Sequence, residues 1–326
     1  MHSHFEQAPT LVTGGGGFIG SHLAERLVAL GARVTVLDNL QAGNWHNLCK
    51  VREWVRTVEA DVRDAAAVAK VIEQTRPRFV FHLAANASVP GSVESPAYDF
   101  ESNCAGTFHI LNALRLAGGC EKVILASSGA VYGEPGGFPI REDDPLRPIS
   151  PYGASKLSAE VQARMFHAVY GVPVVIARLF NTYGPRMARF VVLDFLRKLR
   201  SDPTRLEVLG TGKQVRDFTY VSDTVEGLLV LAAHGEDGQA YNLSSGANCS
   251  VTELAHSLIA ALGLTGKTEI AYTGKSWVGD AQRWEVSIEK IRALGYRPCV
   301  PLCEGLARTI DWFAGSNQGT KPSARP

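Results

Sequence analysis

From the tenth residue onward the chain alternates short apolar runs with longer amphipathic stretches. Thr10-Leu11-Val12-Thr13 is a short strand-like run that ends in four glycines. Residues 21–30 then place Leu23, Ala24, Leu27 and Leu30 at helical spacing, and Gly31 follows as a helix-ending glycine. Arg33-Val34-Thr35-Val36-Leu37-Asp38 reads as the next strand. Strand, turn, helix and strand within about 30 residues is the size of a βαβ unit. The alternation continues with strands over 57–60, 79–83, 122–126 and 173–179. Helices are predicted over 65–74, 108–117 and 152–170. Unbroken Val/Ile/Leu strands separated by helices predict a parallel sheet covered on both faces.

The fold class is therefore α/β, a Rossmann-type doubly wound parallel sheet. After Phe180 the elements become shorter and mixed. A helix over 191–200 and a strand over 205–209 precede Gly210-Thr211-Gly212, which reads as a hairpin turn. Three segments are expected: a Rossmann-type domain over 8–180, a smaller mixed α/β lobe over 181–314, partly intertwined with the first, and a disordered tail over 315–326. The polar opening, residues 1–9 with His2 and His4, lacks the apolar core of a signal peptide and reads in part as a cloning leftover.

Composition narrows the function classes. The 326 residues are 45% hydrophobic and 20% charged, ordinary for a globular enzyme. The net charge of +1 carries no basic excess, which argues against a nucleic-acid partner. No apolar run is long enough for a membrane span. The six cysteines form no C-x-x-C pair. They read as reduced thiols of a cytoplasmic protein, with no metal site.

Two features carry chemistry. Thr13-Gly14-Gly15-Gly16-Gly17-Phe18-Ile19-Gly20 holds G-x-x-G-x-x-G between a strand and a helix. In that context the backbone can approach a pyrophosphate lying at the helix N-terminus. Asp38 ends the second strand, where a carboxylate bonds ribose hydroxyls and repels a 2′-phosphate, and Asn39 and Leu40 follow it. That combination favours NAD over NADP. The second feature is Tyr152 and Lys156, four apart on one helical face. An ammonium there can favour a phenolate, whose ordinary pKa near 10 is too high for a base at neutral pH. Together the two features point to hydride chemistry on an alcohol or ketone.

These residues resemble the extended short-chain dehydrogenase/reductase family, in its nucleotide-sugar epimerase/dehydratase branch. The resemblance spans nearly the whole chain. It rests on the glycine turn, Asp38-Asn39, Asp61-Val62, His82-Leu83-Ala84-Ala85, Asn103 and Ser127-Ser128-Gly129-Ala130-Val131-Tyr132-Gly133. It continues through Tyr152 with Lys156, Arg178-Leu179-Phe180-Asn181, Arg216-Asp217-Phe218-Thr219-Tyr220-Val221 and Gly279-Asp280. It implies that Tyr152 is the catalytic acid/base, that Lys156 binds the nicotinamide ribose and lowers the tyrosine pKa, and that Ser128 hydrogen-bonds the reacting sugar oxygen. Gly14, Gly17, Phe18, Ile19, Gly20, Asp38, Asn39, Asp61, Val62, Leu83, Ala84, Ala85 and Asn103 are the implied cofactor contacts. Ser128, Asn181, Arg216, Asp280 and Trp284 are the implied substrate contacts. A nucleotide-diphosphate sugar and a homodimer, built on the 103–117 and 155–170 segments, follow as partners.

Two departures from the resembled pattern shape the expected activity. The 4,6-dehydratases and decarboxylases of this family carry an acid between the Ser/Thr and Val-Tyr-Gly, where this chain has Gly129 and Ala130. That disfavours elimination and leaves oxidation and reduction at carbon 4, as in the UDP-glucose/UDP-galactose 4-epimerases. Trp277 stands where an Arg commonly contacts diphosphate, with Arg186, Arg189 or Arg283 as candidate replacements. A bulky residue at Trp284 favours a glucose-like sugar over an N-acetylated one. A cofactor-consuming 4-keto reductase, a 3,5-epimerase and a catalytically silent NAD-binding sensor stay open as alternatives. His82 reads as a structural, hydrogen-bonded histidine.

Overall fold

The computed structural model of the chain describes residues 2–275 and 281–316. Its strands are β1 (Pro9–Thr13), β2 (Arg33–Asp38), β3 (Val55–Glu59), β4 (Phe79–His82), β5 (Lys122–Ser128) and β6 (Val174–Leu179). The remaining strands are β7 (Asn181–Tyr183), β8 (Arg205–Val208), β9 (Val215–Tyr220), β10 (Ala240–Leu243), β11 (Asn248–Ser250) and β12 (Glu269–Tyr272). The helices begin with α1 (His2–Phe5), α2 (Phe18–Ala29), α3 (Ala65–Thr75), α4 (Val89–Glu94), α5 (Pro96–Phe100) and α6 (Gly106–Ala117). They continue with α7 (Pro151–Tyr170), α8 (Val191–Ser201), α9 (Val221–His234), α10 (Val251–Ala261), α11 (Glu289–Ala293) and α12 (Leu302–Ser316).

Seven strands form one parallel sheet in the order β10-β6-β5-β4-β1-β2-β3. The order reverses between β1 and β4, which opens a crevice at their C-terminal ends. Alternate residues of each strand feed two separate cores, because side chains point to opposite faces. Val12, Val36, Phe81, Ile124 and Val175 pack with Leu23 and Leu27 of α2 and Leu228 of α9. Leu11, Leu37, Val80, Leu125 and Ile176 pack with Ile72 of α3, Ile110 of α6 and Ala163 of α7. Burial on both faces is why these strands read as continuous apolar runs.

After β6 the chain builds a second region around a third core, with Leu196 of α8, Phe218 of β9, Leu258 of α10 and Leu306 of α12. It then returns to the large sheet, since α9 packs on β5 and β6 and β10 pairs with β6. Gly210-Thr211-Gly212 is not a hairpin turn. The strands on its two sides belong to different sheets: β8 pairs with β12, and β9 with β7 and β11. The glycines turn the chain with φ near +78° and +72° but do not fold it back on itself.

The opening segment is also part of the fold. Phe5 is fully buried with its ring 4.9 Å from that of Phe79, and Ala8 is buried beside β1. One aromatic among polar residues leaves no periodic signal. Helix α12 runs through Gly315 and Ser316, two residues into the expected tail; residues 317–326 lie outside the described part. Among the described residues no helix is long and apolar enough to cross a membrane, and no His/Cys/Asp/Glu cluster could hold a metal ion.

Candidate active site

The glycine turn sits at the switch point of the sheet. Gly14 has φ +71°, and a Cβ there would meet the backbone of Ala84 at 2.7 Å. A Cβ on Gly20 would lie 2.2 Å from the Gly14 carbonyl, so the turn closes only with hydrogen at both positions. Helix α2 opens on Gly17, which offers no side-chain cap. The positive end of α2 thus faces the crevice with backbone N–H groups and no competing side chain, the arrangement that takes a pyrophosphate. Phe18 and Ile19 form its first turn.

Asp38 stands beside this turn and is buried. Its Oδ2 accepts from Gly16 N at 2.9 Å and its Oδ1 from Leu40 N at 2.8 Å. Burial pushes its pKa up and the backbone amides oppose that. A carboxylate has lone pairs beyond these two bonds, so it can still accept ribose hydroxyls. Asn39 donates to Asp61 at 2.8 Å, and Arg63 also grips Asp61. Partial burial works against it, but Arg63 and Asn39 hold the Asp61 carboxyl down at about 2. Val62 is buried against α6, where Gly106 leaves room for it. Leu83, Ala84 and Ala85 continue from β4 along the crevice floor, with Ala84 N donating to Thr13 Oγ1 at 3.2 Å. The residues present fit a dinucleotide.

The catalytic candidates converge from three elements. Ser150 caps α7 by accepting from Gly153 N at 3.1 Å, and Pro151 occupies the first turn, where its missing N–H is harmless. This start fixes Tyr152 at the helix mouth. Ser128 ends β5 and its hydroxyl hydrogen-bonds the Tyr152 phenol, which lowers the phenol's pKa. Loss of solvent outweighs this, and the Asp99 carboxylate adds to it; the pKa stands above its ordinary value. Arg189, on the loop after β7, also pulls it down. Lys156 is buried and donates to Ala126 O at 2.8 Å. Burial lowers its pKa to about 8. Asp99 and Arg189 act on the phenol in opposite directions, the carboxylate raising its pKa and the guanidinium lowering it.

Asn103 was expected to contact cofactor. The structure engages it within the protein. Its Oδ1 accepts from Asn86 N at 2.9 Å, and its Nδ2 donates to Ser155 Oγ at 2.9 Å and to Asp99 Oδ1 at 3.2 Å. It ties the turn after β4 to the first turn of α7. His82 is structural, between Thr13 Oγ1 at 2.7 Å and Thr107 Oγ1 at 3.2 Å.

The proposed substrate side is aromatic. Trp284 packs edge-on against Phe180, ring centres 5.8 Å apart, and Arg216 lies 5.1 Å over the Trp284 ring. Arg216 donates to the carbonyls of Val215 at 2.8 Å and Ala281 at 2.5 Å. Its neighbour Asp217 turns the other way, accepting from Ser245 and Gly246. Asn181 donates to Asp217 O at 3.3 Å. Of the suggested replacement cations, Arg186 is held by Glu25 and Ser21, and Arg283 by Glu285. Trp277 and Asp280 lie outside the described residues. A Cβ on Gly129 would meet the Phe180 ring at 2.4 Å, so Phe180 seals the position beside Ser128.

Two site-supporting residues escaped the sequence reading. Glu160, two turns along α7 from Tyr152, forms a buried ion pair with Arg178 of β6. Asp99, on α5, is buried and accepts from Asn86 and Asn103 beside the first turn of α7. Neither belongs to a motif of its own; a buried carboxylate is recognisable only once the elements around it are assembled.

The chain matches the family described as GDP-mannose 4,6 dehydratase over residues 11–312. It is 36% identical to a putative UDP-glucose 4-epimerase of Methanocaldococcus jannaschii, over 94% of this chain and 99% of that protein. It is 32% identical to a dTDP-glucose 4,6-dehydratase of Xanthomonas campestris, over 94% and 93%. The crystal structure of the Thermus thermophilus UDP-glucose 4-epimerase complexed with NAD superposes with a TM-score of 0.85 at 38% identity, covering 94% of this chain and 99% of that one. With the glycine turn at the sheet's switch point and the Ser128, Tyr152 and Lys156 side chains around one crevice, the chain belongs to the nucleotide-sugar epimerase/dehydratase branch of the extended short-chain dehydrogenases/reductases.

Proposed function

We propose that the protein is an NAD-dependent 4-epimerase of nucleotide-diphosphate hexoses, of the UDP-glucose/UDP-galactose type. The observation that carries this reading is the sealing of position 129 by Phe180, directly beside Ser128. The dehydratase relatives share the fold, but elimination needs a second acid/base at the neighbouring sugar carbon. Here Gly129 and buried Ala130 offer none.

Bound NAD supplies reversible acceptance of hydride from sugar carbon 4. Tyr152 takes the proton from the 4-hydroxyl and, once the 4-keto sugar has turned its other face to the cofactor, gives the proton back to the same oxygen. Ser128 holds the sugar oxygen against the phenol. Lys156 would hold the nicotinamide ribose, and its positive charge would favour the deprotonated phenol. The Arg189 charge favours the phenolate as well. Trp284, packed on Phe180, would favour a compact, glucose-like ring, and Arg216 and Asn181 would hold the diphosphate.

A homodimer through α6 and α7 is part of the proposal. Val161, Met165 and Val169 lie at one-turn spacing on α7 and are 58%, 40% and 65% exposed, with Phe108 of α6 beside them at 44%. A stripe of this kind is what a helix-bundle interface buries. Sedimentation should give a dimer, and Val161→Glu with Met165→Lys a monomer.

The main test is incubation of the purified protein with UDP-glucose and with UDP-galactose, without added NAD. Interconversion is expected, with cofactor neither added nor consumed. Stoichiometric cofactor consumption would assign the 4-keto reductase instead. No turnover of any UDP-, GDP-, CDP- or dTDP-hexose would falsify the epimerase reading. Tyr152→Phe should lower turnover about 10²–10⁴-fold while NAD stays bound.

A further inference from the structure

We propose that Tyr98 and Gln41 make the closing contact of a strap across the adenosine end of the crevice, and that this strap sets how fast the dinucleotide enters and leaves. The inference concerns cofactor exchange and stands whichever nucleotide sugar the protein acts on.

Asn39, Asp61, Arg63, Tyr98 and Gln41 make a closed ring. Gln41 N donates to Asn39 Oδ1 at 3.1 Å, and Asn39 Nδ2 donates to Asp61 Oδ2 at 2.8 Å. Asp61 accepts from Arg63 Nε at 3.0 Å and from Nη2 at 2.9 Å. The Arg63 guanidinium lies over the Tyr98 ring, 4.8 Å from its centre, and its Nη1 donates to Glu101 at 3.2 Å. Arg63 thus uses its edges for two carboxylates and its face for an aromatic ring. Tyr98 Oη closes the ring by donating to Gln41 Oε1.

The topology puts this ring across the crevice. Strands β2 and β3 lie on one side of β1, and β4 lies on the other. Asn39 and Gln41 follow β2, and Asp61 and Arg63 follow β3, whereas Tyr98, on α5, is reached from β4. A contact between the two groups passes over the C-terminal end of β1, where the glycine turn begins. Both anchors are fixed. The loop carrying Gln41 is pinned to the glycine turn, since Gly16 O accepts from Asn44 N at 2.9 Å and from Asn47 Nδ2 at 2.8 Å. The same loop packs on Asp38, the expected ribose ligand: a Cβ on Gly43 would meet its Oδ1 at 2.8 Å. On the far side Asp99, next to Tyr98, accepts from Asn86 and Asn103, and Asn103 donates to Ser155 of α7. Between these anchors the span rests on one neutral hydrogen bond and one cation–π contact, both reached by solvent. Contacts of that kind break thermally, so the strap opens and closes while its anchors hold.

Tyr98→Phe keeps the ring against Arg63 and removes the hydroxyl; Gln41→Ala breaks the same contact from the exposed loop. Each protein is loaded with isotope-labelled NAD and chased with excess unlabelled NAD, and its affinity for NAD is measured by calorimetry. Exchange should be about 2–10-fold faster in either variant, the worth of one hydrogen bond. Affinity should be unchanged, because a strap that opens for entry and for exit alters both rates alike. The double variant should exchange no faster than the faster single one, since both substitutions remove one contact. Exchange at the parent's rate overturns the proposal. Faster exchange with a matching loss of affinity would make these residues direct cofactor contacts and overturns it too, as does an additive double variant. Should Tyr98→Phe not fold, Gln41→Ala decides alone on the same two readouts. Neither readout involves a sugar nucleotide, so failure of the epimerase reading stays distinguishable.

Discussion

Glu160 and Arg178 meet side-on, Nε to Oε1 at 2.9 Å and Nη2 to Oε2 at 2.7 Å, with both side chains fully buried. The pair joins the catalytic helix α7 to strand β6. Around it Ser127 donates to Glu160 at 2.6 Å, and Arg178 donates to Tyr132 Oη at 2.7 Å and Glu142 O at 2.8 Å. Tyr132 in turn donates to Asn242 of β10 at 2.7 Å. One network therefore ties together the helix bearing Tyr152 and the last three strands at that edge of the sheet.

Removing one member leaves a buried charge without its partner. Arg178→Met should destabilise the fold by about 3–5 kcal/mol. Replacing Glu160 by Met as well should recover only part of the loss, because Ser127 and Tyr132 would still be stranded. Urea unfolding of the single and double variants measures both. A double variant as stable as the parent would mean the network contributes no net stability.

Gly129 is small for a steric reason. Gly129→Ala places a methyl 2.4 Å from a Phe180 ring carbon and should cost about 1–3 kcal/mol. With Phe180→Ala also present, the added methyl should be tolerated. The two substitutions are then expected to cost less together than the sum of each alone. Additive losses in thermal melts would show that Phe180 does not seal the position.

How much of this was legible in the sequence depended on the range over which each signal acts. The glycine turn, Asp38 and the Tyr152–Lys156 spacing are local patterns, and the structure places each where its motif put it. Strands β1, β2, β4, β5 and β6 were readable because burial on both faces makes them uniformly apolar. Ala240–Leu243 was not, since Tyr-Asn interrupts the run and Asn242 serves the buried network instead of a core. Glu160 looked like an ordinary helix-surface acid; only the folding of β6 against α7 gives it Arg178. Asp99 sits in a five-residue helix that starts on Pro96 and runs into a π-turn, with no periodicity to betray its burial. The Gly210–Gly212 turn misled because adjacent strands usually pair, while here β8 finds β12.

Arg189 makes the next prediction. It sits on the loop between two residues with positive φ, Arg186 at +69° and Phe190 at +82°, a strained backbone that the surrounding structure must hold in place. Its guanidinium lowers the Tyr152 pKa. A base must be deprotonated to act, so activity rises with pH through the pKa of the phenol. Arg189→Gln removes the cation, raises that pKa and should shift the acid limb of kcat/KM toward higher pH. An unmoved limb would mean the loop holds Arg189 away from the phenol when substrate binds.

His82 predicts how the fold responds to acid. Thr107 Oγ1 donates to Asn103 O at 2.6 Å, so it accepts from His82 Nε2; Thr13 Oγ1 then donates to Nδ1. Both bonds suit the neutral ring. Burial, with the Lys156 charge adding to it, brings its pKa to about 3, against 6.5 for an unperturbed histidine. Between those two values the unfolded chain binds a proton that the folded one refuses. The contribution of His82 to stability is therefore complete above pH 6.5 and is lost as pH falls toward 3, at up to about 1.4 kcal/mol per unit. His82→Gln keeps a donor and an acceptor at the site but cannot titrate, so it should remove that part of the slope. Urea unfolding of both proteins from pH 7 to pH 4 gives the comparison. Parallel slopes would place the acid sensitivity elsewhere and require His82 to accept a proton inside the fold.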